Sequence, residues 1–257
     1  MARRHLVAVA AVVLGAPGLF GCRPSTVSVA YEPEVGDRYT YRYEIETEVT
    51  RSLDGAEPEV VHLDTELFVR QEVRARTVRG ARILLELTRE GSAARRAVAI
   101  VDRAGSLEDV EIVAGLGAAV LGVADEDSLV PTHLPGPPDR PLAPGDRWSI
   151  DEADRSGEGR LVRLGVIDGS RVAVVRTTAT EDVARAVRAA GSATAVSGRI
   201  RSGADTSYDL ADGAIRRSRS WSRGEIDARV QPPEGVDAAP VHATIAYAVT
   251  VRVTRLG

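Results

Sequence analysis

The stretch VHATIAYAVTVRVTR, residues 241–255, alternates between apolar and polar side chains with a period of two. The apolar positions are Val241, Ala243, Ile245, Tyr247, Val249, Val251 and Val253, and the polar positions include His242, Thr244, Thr250, Arg252 and Thr254. Successive side chains of a β-strand point to opposite faces, so this spacing predicts a strand with one apolar face. One-sided alternation is typical of an antiparallel sheet that packs on one face only.

Three earlier segments alternate in the same way. Their apolar positions are Tyr39, Tyr41, Tyr43 and Ile45 in the first, Val61 to Val73 in the second, and Ala81, Ile83, Leu85 and Leu87 in the third. Several runs exceed ten residues, and strands of that length twist and coil. We therefore expect a mainly β fold (β-rich α+β) built on a large curved antiparallel sheet or half-barrel.

Two segments have features of short helices packed on that sheet. Residues 109–122 (DVEIVAGLGAAVLG) are almost wholly apolar, although they contain glycines. Residues 181–190 (EDVARAVRAA) place Val183, Ala186, Val187 and Ala190 on one helical stripe, and Thr178 and Glu181 have the spacing of a capping box. We predict one or two helices from these patterns.

A weak internal repeat spans the chain. Gly-Asp-Arg followed by an aromatic residue occurs at residues 36–39 and again at residues 145–148, 109 positions later. Residues 102–105 and 209–213 both have the composition of hairpin turns, and their glycines are 108 positions apart. A duplicated β-rich unit explains the shared offset, and chance agreement between common turns is the alternative.

The chain divides into a leader and one domain. We predict a signal peptide over residues 1–21, a lipidated N-terminus and short tether over residues 22–30, and a single β-rich domain over residues 31–257. Its pseudo-repeats would cover about 31–130 and 141–257, joined by the Pro-rich segment 131–144.

The leader has the layout of a lipoprotein signal. Arg3 and Arg4 precede an apolar run over residues 6–14, which is too short to span a bilayer. The run ends in Leu-Phe-Gly-Cys at residues 19–22, which resembles a lipobox except for the bulky Phe20. A plain secretory signal with an incidental cysteine is the alternative.

Cys22 is the only cysteine of the 257 residues. A free thiol outside the cytoplasm can pair between molecules, whereas a lipidated sulfur is a thioether and cannot. The resemblance to lipoproteins implies a diacylglyceryl group on Cys22, which would become the mature N-terminus. We therefore expect an extracytoplasmic protein anchored to the outer face of the cell membrane or, in an organism with two membranes, to the outer membrane.

The composition excludes several kinds of chemistry. All 33 basic residues are arginine and there is no lysine, so a Schiff-base lysine and the lysine of a phosphate-binding loop are absent. The formal net charge is −4, which does not favour nucleic acid as a partner. Protein partners cannot be named from the sequence.

No catalytic or metal-binding constellation stands out. The G-x-S-x-G and S-x-x-K motifs are absent, and His62, His133 and His242 lack the spacing of a zinc site. Asp37 and Asp146 are candidates for a functional role, but an Asp after a turn glycine more often bonds to the local backbone. We predict no catalytic residues, no metal site and no cofactor, and the sequence does not identify ligand-binding residues.

The lipobox, the opening Y-x-P-x-x-G-D-x-Y-x-Y at residues 31–41 and the linker leading to P-G-D-R-W resemble an uncharacterised family of extracytoplasmic bacterial lipoproteins. This resemblance implies an architecture and no activity. In general design the chain is also similar to the LolA-like and LprG/LppX-like carriers, which hold acylated lipids under a curved sheet. No residue of those carriers can be transferred to this sequence.

Three functions follow, in order of preference. The first is a non-enzymatic, membrane-anchored lipoprotein whose curved sheet binds a hydrophobic ligand or lipid. The second is an envelope scaffold or protein-interaction module with a filled core. The third is a hydrolase without a recognisable motif.

Overall fold

The computed structural model describes residues 26–78, 80–105, 107–114, 136–152, 154–189, 192–232 and 237–257. These residues form eleven strands: β1 (Arg38–Leu53), β2 (Glu59–Arg76), β3 (Gly80–Thr88), β4 (Arg95–Asp102), β5 (Leu107–Ala114), β6 (Arg147–Glu152), β7 (Arg155–Ile167), β8 (Ser170–Ala189), β9 (Ser192–Asp209), β10 (Ile215–Gln231) and β11 (Val241–Arg255). Strands β1, β2, β8, β9, β10 and β11 each have at least 15 residues. The predicted long strands are confirmed.

All eleven strands belong to one open antiparallel sheet in the order β5-β4-β3-β2-β1-β11-β10-β9-β8-β7-β6. Strands that follow each other in the chain pair, except β5 and β6, which form the two edges of the sheet, and β1 pairs with β11 at the centre. The register there places Tyr43 opposite Val253 and Val49 opposite Tyr247. The first and last strands of the domain therefore join two halves of one sheet, β1–β5 on one side and β6–β10 on the other.

The sheet curves strongly enough that side chains from both of its halves line one cavity. Strands β3 and β10 are separated by three others, so on a flat sheet they would lie about 19 Å apart at roughly 4.8 Å per strand. Leu87 of β3 and Ile215 of β10 nevertheless pack in one hydrophobic cluster with Ala214. Leu87, Ala214 and Ile215 also line the same cavity, which defines a concave face and confirms the expected large curved sheet.

The apolar side chains predicted to share a face do so on the concave side. The main cluster contains Tyr39, Tyr41, Val69, Val73, Ile83 and Leu85, all nearly inaccessible to water. A second cluster around Leu142, Leu161 and Val175 and a third around Val183, Ile200 and Ile226 extend the buried surface along the other half. The core is thus one layer of side chains spread over the inner face of the sheet.

The predicted helix over residues 181–190 is wrong. Residues up to Ala189 continue β8, which pairs with β9 from Val172 to Ala189 without a register shift. In this segment Glu181 and Val183 are buried while Asp182 and Ala184 are exposed, so the side chains alternate as in a strand. A short segment of Val, Ala and Arg fits both periods, and here the long partner strand decides the structure.

The predicted helix over residues 109–122 is also wrong where it can be compared, because Leu107–Ala114 is strand β5, paired with β4. The remainder of that segment lies outside the described residues. Among the residues that the structure does describe, no helix is long and apolar enough to cross a bilayer.

The two halves run through their strands in the same order. The first Gly-Asp-Arg segment leads into β1 and the second into β6, while the turn at residues 102–105 joins β4 to β5 and the turn at residues 209–213 joins β9 to β10. Both predicted turns are present. The interpretation as a duplicated unit stays a prediction.

Candidate functional site

An apolar trough of about 210 Å³ lies on the concave face, at the end of the sheet where β1 begins. Strands β1 to β3 form its floor, with the side chains of Tyr41, Tyr43, Ile45, Leu67, Val69, Leu85 and Leu87. These residues share the trough because odd-numbered positions of the three strands face inward and the register aligns them. The strand pattern thus creates the apolar floor directly.

The second half of the sheet supplies the opposite wall. Tyr208 from the end of β9, with Ala214 and Ile215 at the start of β10, faces the floor across the curve of the sheet. Ala214 is almost completely buried, while Tyr43, Leu67 and Ile215 are only partly buried. The trough therefore keeps accessible apolar surface next to a packed core.

The segment before β1 covers one end of the trough. Tyr31 donates its backbone N–H to the carbonyl of Arg103 at 2.8 Å, and Glu32 donates its own to the carbonyl of Asp212 at 2.9 Å. The side chain of Arg103 pairs with that of Glu32 and also with Asp139 at 3.4 Å. This segment ties together the two hairpin turns that border the trough and places the ring of Tyr31 in its lining.

The tyrosines of the trough stay protonated at neutral pH. Burial raises the pKa of Tyr43 to about 12 and that of Tyr208 to about 12. Burial, reinforced by the negative charges of Asp212 and Asp37, raises the pKa of Tyr31 further. The buried hydroxyl of Tyr31 makes no hydrogen bond to any described residue, so it is a neutral donor and acceptor without a partner in the apolar lining.

Next to the trough lies a polar network that joins both halves of the sheet. The hydroxyl of Tyr39 lies 3.1 Å from a carboxylate oxygen of Asp37 and 3.1 Å from one of Asp212. Arg255 lies over the Tyr39 ring, 4.4 Å from its centroid, and pairs with Asp212 at 3.3 Å. The network links the first strand, the last strand and the β9–β10 turn.

Asp209 extends this network towards β10. Its carboxylate accepts hydrogen bonds from the backbone N–H of Ala211 at 3.0 Å and from Arg216 at 2.8 Å. Burial alone would raise the pKa of Asp209, but these two donors outweigh it and hold the pKa below its ordinary value of 3.8. The arrangement fixes the turn that carries Ala214 into the trough.

The two Asp residues weighed as functional candidates have structural contacts. Asp37 accepts from the backbone N–H of Glu34 at 2.8 Å, and Asp146 accepts from that of Ala143 at 2.8 Å. Gly36 precedes Asp37 with a φ of +96°, a left-handed value that favours glycine in this turn. Both segments therefore form the same turn before a strand, in which the aspartate bonds back to the residue three positions before it through its backbone N–H and its carboxylate.

The structure does not bring the histidines together. His62 is exposed with its Nδ1 3.5 Å from Glu48, and His242 is exposed with its Nε2 3.6 Å from Asp227. His133 and the predicted lipidation site Cys22 lie outside the described residues. Within the described ranges, no group of three or more His, Cys, Asp or Glu side chains is placed to hold a metal ion.

Sequence reasoning missed Tyr208 of β9 and three further residues that shape the site. Tyr31 falls in a segment without strand periodicity, and Ala214 and Ile215 follow a turn of the distant half. Their roles depend on the curvature of the sheet, which joins positions more than 100 residues apart. The local signals of the site were the alternating apolar positions of β1, β2 and β3, which form its floor.

Comparison with known proteins finds no family model that matches this chain and no curated protein with a significant match.

Proposed function

We propose that this protein is a non-enzymatic envelope lipoprotein that binds a hydrophobic ligand, such as an acyl chain of a lipid, in the trough. The observation that carries the proposal is the trough itself, an apolar concavity of about 210 Å³ that opens beside a packed core. Partly exposed apolar side chains gathered in a concavity are typical of ligand-binding sites.

The dimensions favour a slender ligand. Sites that enclose a whole small molecule usually have volumes of roughly 300–1,000 Å³, whereas an apolar cavity of about 150 Å³ is enough for benzene. A trough of about 210 Å³ therefore suits a segment of an alkyl chain with the remainder outside. Each buried methylene contributes about 0.8 kcal/mol, before the loss of chain freedom is subtracted.

The unpartnered hydroxyl of Tyr31 favours a ligand with a polar atom at one point along it. A buried hydroxyl without a hydrogen bond costs roughly 1–3 kcal/mol. An ester or carboxyl oxygen of a lipid would accept from the Tyr31 hydroxyl and remove that cost. This supports an acyl lipid over a pure hydrocarbon.

A charge placed in the trough tests the proposal. In Leu67→Asp, a carboxylate replaces a partly buried apolar side chain of the floor. The matched control is Phe68→Asp, the next residue of β2, which points to the other face and is 40% exposed. We expect Leu67→Asp to weaken the binding of cis-parinaric acid, a fluorescent fatty acid, by roughly tenfold or more, since losing the contact of one leucine removes about 1.5–3 kcal/mol.

Circular dichroism establishes that both variants are folded before affinities are compared. Phe68→Asp should bind the fatty acid as the unmodified protein does. Equal losses in both variants, or no fatty-acid binding by the unmodified protein together with no lipid in its native mass spectrum, would refute the proposal. A protein partner crosslinked in intact cells in place of lipid would favour the scaffold function.

We also propose that the chain is anchored through lipid on Cys22, on the outer face of the cell membrane or on the outer membrane. The support is the sequence alone: the leader, the lipobox at residues 19–22 and the single cysteine. Mass spectrometry of the N-terminal peptide should find a diacylglyceryl group on Cys22. In Cys22→Ser the protein should leave the membrane fraction, and its retention there would refute the anchor.

A further inference from the structure

The convex face of the sheet carries an exposed tryptophan among arginines, far from the trough. Trp221 lies in the middle of β10, 40% exposed, between Gly203 on β9 and Thr250 on β11. A Cβ atom built on Gly203 would lie only 2.7 Å from the indole, so the ring rests directly on the backbone of β9. The absence of a side chain at position 203 thus leaves a flat aromatic surface open to solvent.

Three exposed guanidinium groups around this ring have no partner. Arg219 and Arg223 flank Trp221 on the same face of β10, and Arg201 lies opposite Arg223 on β9. None of the three makes a hydrogen bond or ion pair with the residues that the structure describes.

Two other arginines that border this surface are paired. Arg176 pairs with Asp205 at 2.7 Å, and Arg199 pairs with Asp182 at 2.8 Å. Of the arginines that border the two grooves beside the tryptophan, Arg201, Arg219 and Arg223 are therefore the ones without a partner among the described residues.

Two grooves extend from the ring. The larger has a volume of about 640 Å³ and is bordered by Arg201, Arg223 and Glu225, and the smaller has about 390 Å³ and is bordered by Arg176, Arg219 and Asp205. Both volumes are in the range of small-molecule sites, roughly 300–1,000 Å³. Trp221 and Arg223 border both grooves. A ligand could therefore lie across the ring with a part in each groove.

We propose that this surface, defined by Trp221, Arg201, Arg219 and Arg223, binds an anionic saccharide, a sugar chain that carries carboxylates. The C–H bonds on the flat side of a sugar ring are attracted to the negative face of the indole. A guanidinium binds a carboxylate through two parallel hydrogen bonds. The carboxylate of Glu225, which makes no ion pair with a described residue, accepts hydrogen bonds from hydroxyl groups, which a sugar supplies in number.

The same features disfavour other classes of partner. A protein interface needs an apolar core, but the neighbours of Trp221 across the strands are Gly203 and Thr250. A polyphosphate or nucleic-acid backbone has dense negative charge, which Glu225 and Asp205 in the grooves would repel. A carboxylated sugar chain has few negative charges and many hydroxyl groups. Its carboxylates can bind the arginines, and its hydroxyl groups can donate to the acidic side chains.

The test measures binding of oligogalacturonate to the full chain in detergent by titration calorimetry, with neutral dextran as the matched sugar. Trp221→Ala and the double variant Arg219→Gln/Arg223→Gln should each lower the affinity at least about tenfold, because each removes a principal contact. Arg229→Gln is the control, since Arg229 is exposed on the same face of the same strand and outside both grooves. It should change the affinity less than about twofold.

Thermal unfolding shows whether each variant is folded. If Trp221→Ala does not fold, the double variant Arg219→Gln/Arg223→Gln still tests the proposal. Fatty-acid binding at the trough should be unaffected in all three variants, so the outcome is independent of the proposed function. Equal loss in Arg229→Gln, equal binding of dextran, or no binding of oligogalacturonate would overturn the proposal. Tighter binding to inorganic polyphosphate or to phosphatidylglycerol vesicles that does not depend on Trp221 would also overturn it.

Discussion

Removing one hydroxyl group from Tyr39 should destabilise the protein measurably, whereas the same change at Tyr43 should not. Tyr39 is 2% exposed, and its hydroxyl has two carboxylate acceptors at 3.1 Å, Asp37 and Asp212. Hydrogen bonds to charged groups contribute about 1.5–3 kcal/mol. Asp212 keeps its ion pair with Arg255 in Tyr39→Phe, so we expect a loss of about 2 kcal/mol.

The control is well matched because Tyr43 lies on the same strand and the same face. Its hydroxyl has no hydrogen bond to a described residue, so Tyr43→Phe should cost less than about 0.5 kcal/mol. Urea-induced unfolding followed by circular dichroism measures both losses. For a chain of this size, about 2 kcal/mol corresponds to a decrease in melting temperature of roughly 4–8 °C.

A double-mutant cycle identifies which carboxylate matters. If the Tyr39–Asp212 contact holds the β9–β10 turn against β1, then Tyr39→Phe and Asp212→Asn should be non-additive by about 1 kcal/mol or more. Additive losses would show that the stabilisation comes from the hydrogen bond between Tyr39 and Asp37 and not from the one between Tyr39 and Asp212. Equal losses in Tyr39→Phe and Tyr43→Phe would refute the reasoning for both carboxylates.

Three further predictions concern stability. Because the folded state lowers the pKa of Asp209, its carboxylate stabilises the fold at pH values above its ordinary pKa of 3.8. This contribution is lost as the pH falls through the lower folded-state pKa. In Asp209→Asn the free energy of unfolding should therefore decrease less steeply as the pH is lowered below about 4. Leu161→Ala should cost about 2–5 kcal/mol in urea unfolding because Leu161 is fully buried, and a loss no larger than that of the 56% exposed Leu63→Ala would contradict the proposed core. Gly159→Val should displace the ring of Trp148, because a Cβ atom at position 159 would lie 2.0 Å from that ring. In a Trp221→Phe background Trp148 is the remaining tryptophan, and its fluorescence should shift to longer wavelength. An unchanged spectrum would contradict the contact between Gly159 and Trp148.

The sequence was enough to predict four of the eleven strands, β1, β2, β3 and β11, and their apolar faces, but not how the faces meet. Alternation over residues 241–253 predicts β11 and its inner face, because period two is a local property of a strand. The contact of Ala214 with the main cluster depends on the curvature summed over several strands, which no local pattern contains. The helix predicted over residues 181–190 was wrong for the same reason, since β9, and not the segment itself, determines its structure.

The proposed anchor is close to the trough along the chain. Cys22 precedes Val27 by five residues, which can span at most about 18 Å at roughly 3.6 Å per residue. Val27 pairs with Leu142, and four residues later Tyr31 lines the trough. If Cys22 carries lipid, the nine residues from Cys22 to Tyr31 hold the covered end of the trough within about 32 Å of the anchor, at roughly 3.6 Å per residue. An acyl chain would then have a short path from the bilayer to the floor of the trough. This short path favours a membrane lipid over a soluble hydrophobic molecule as the ligand.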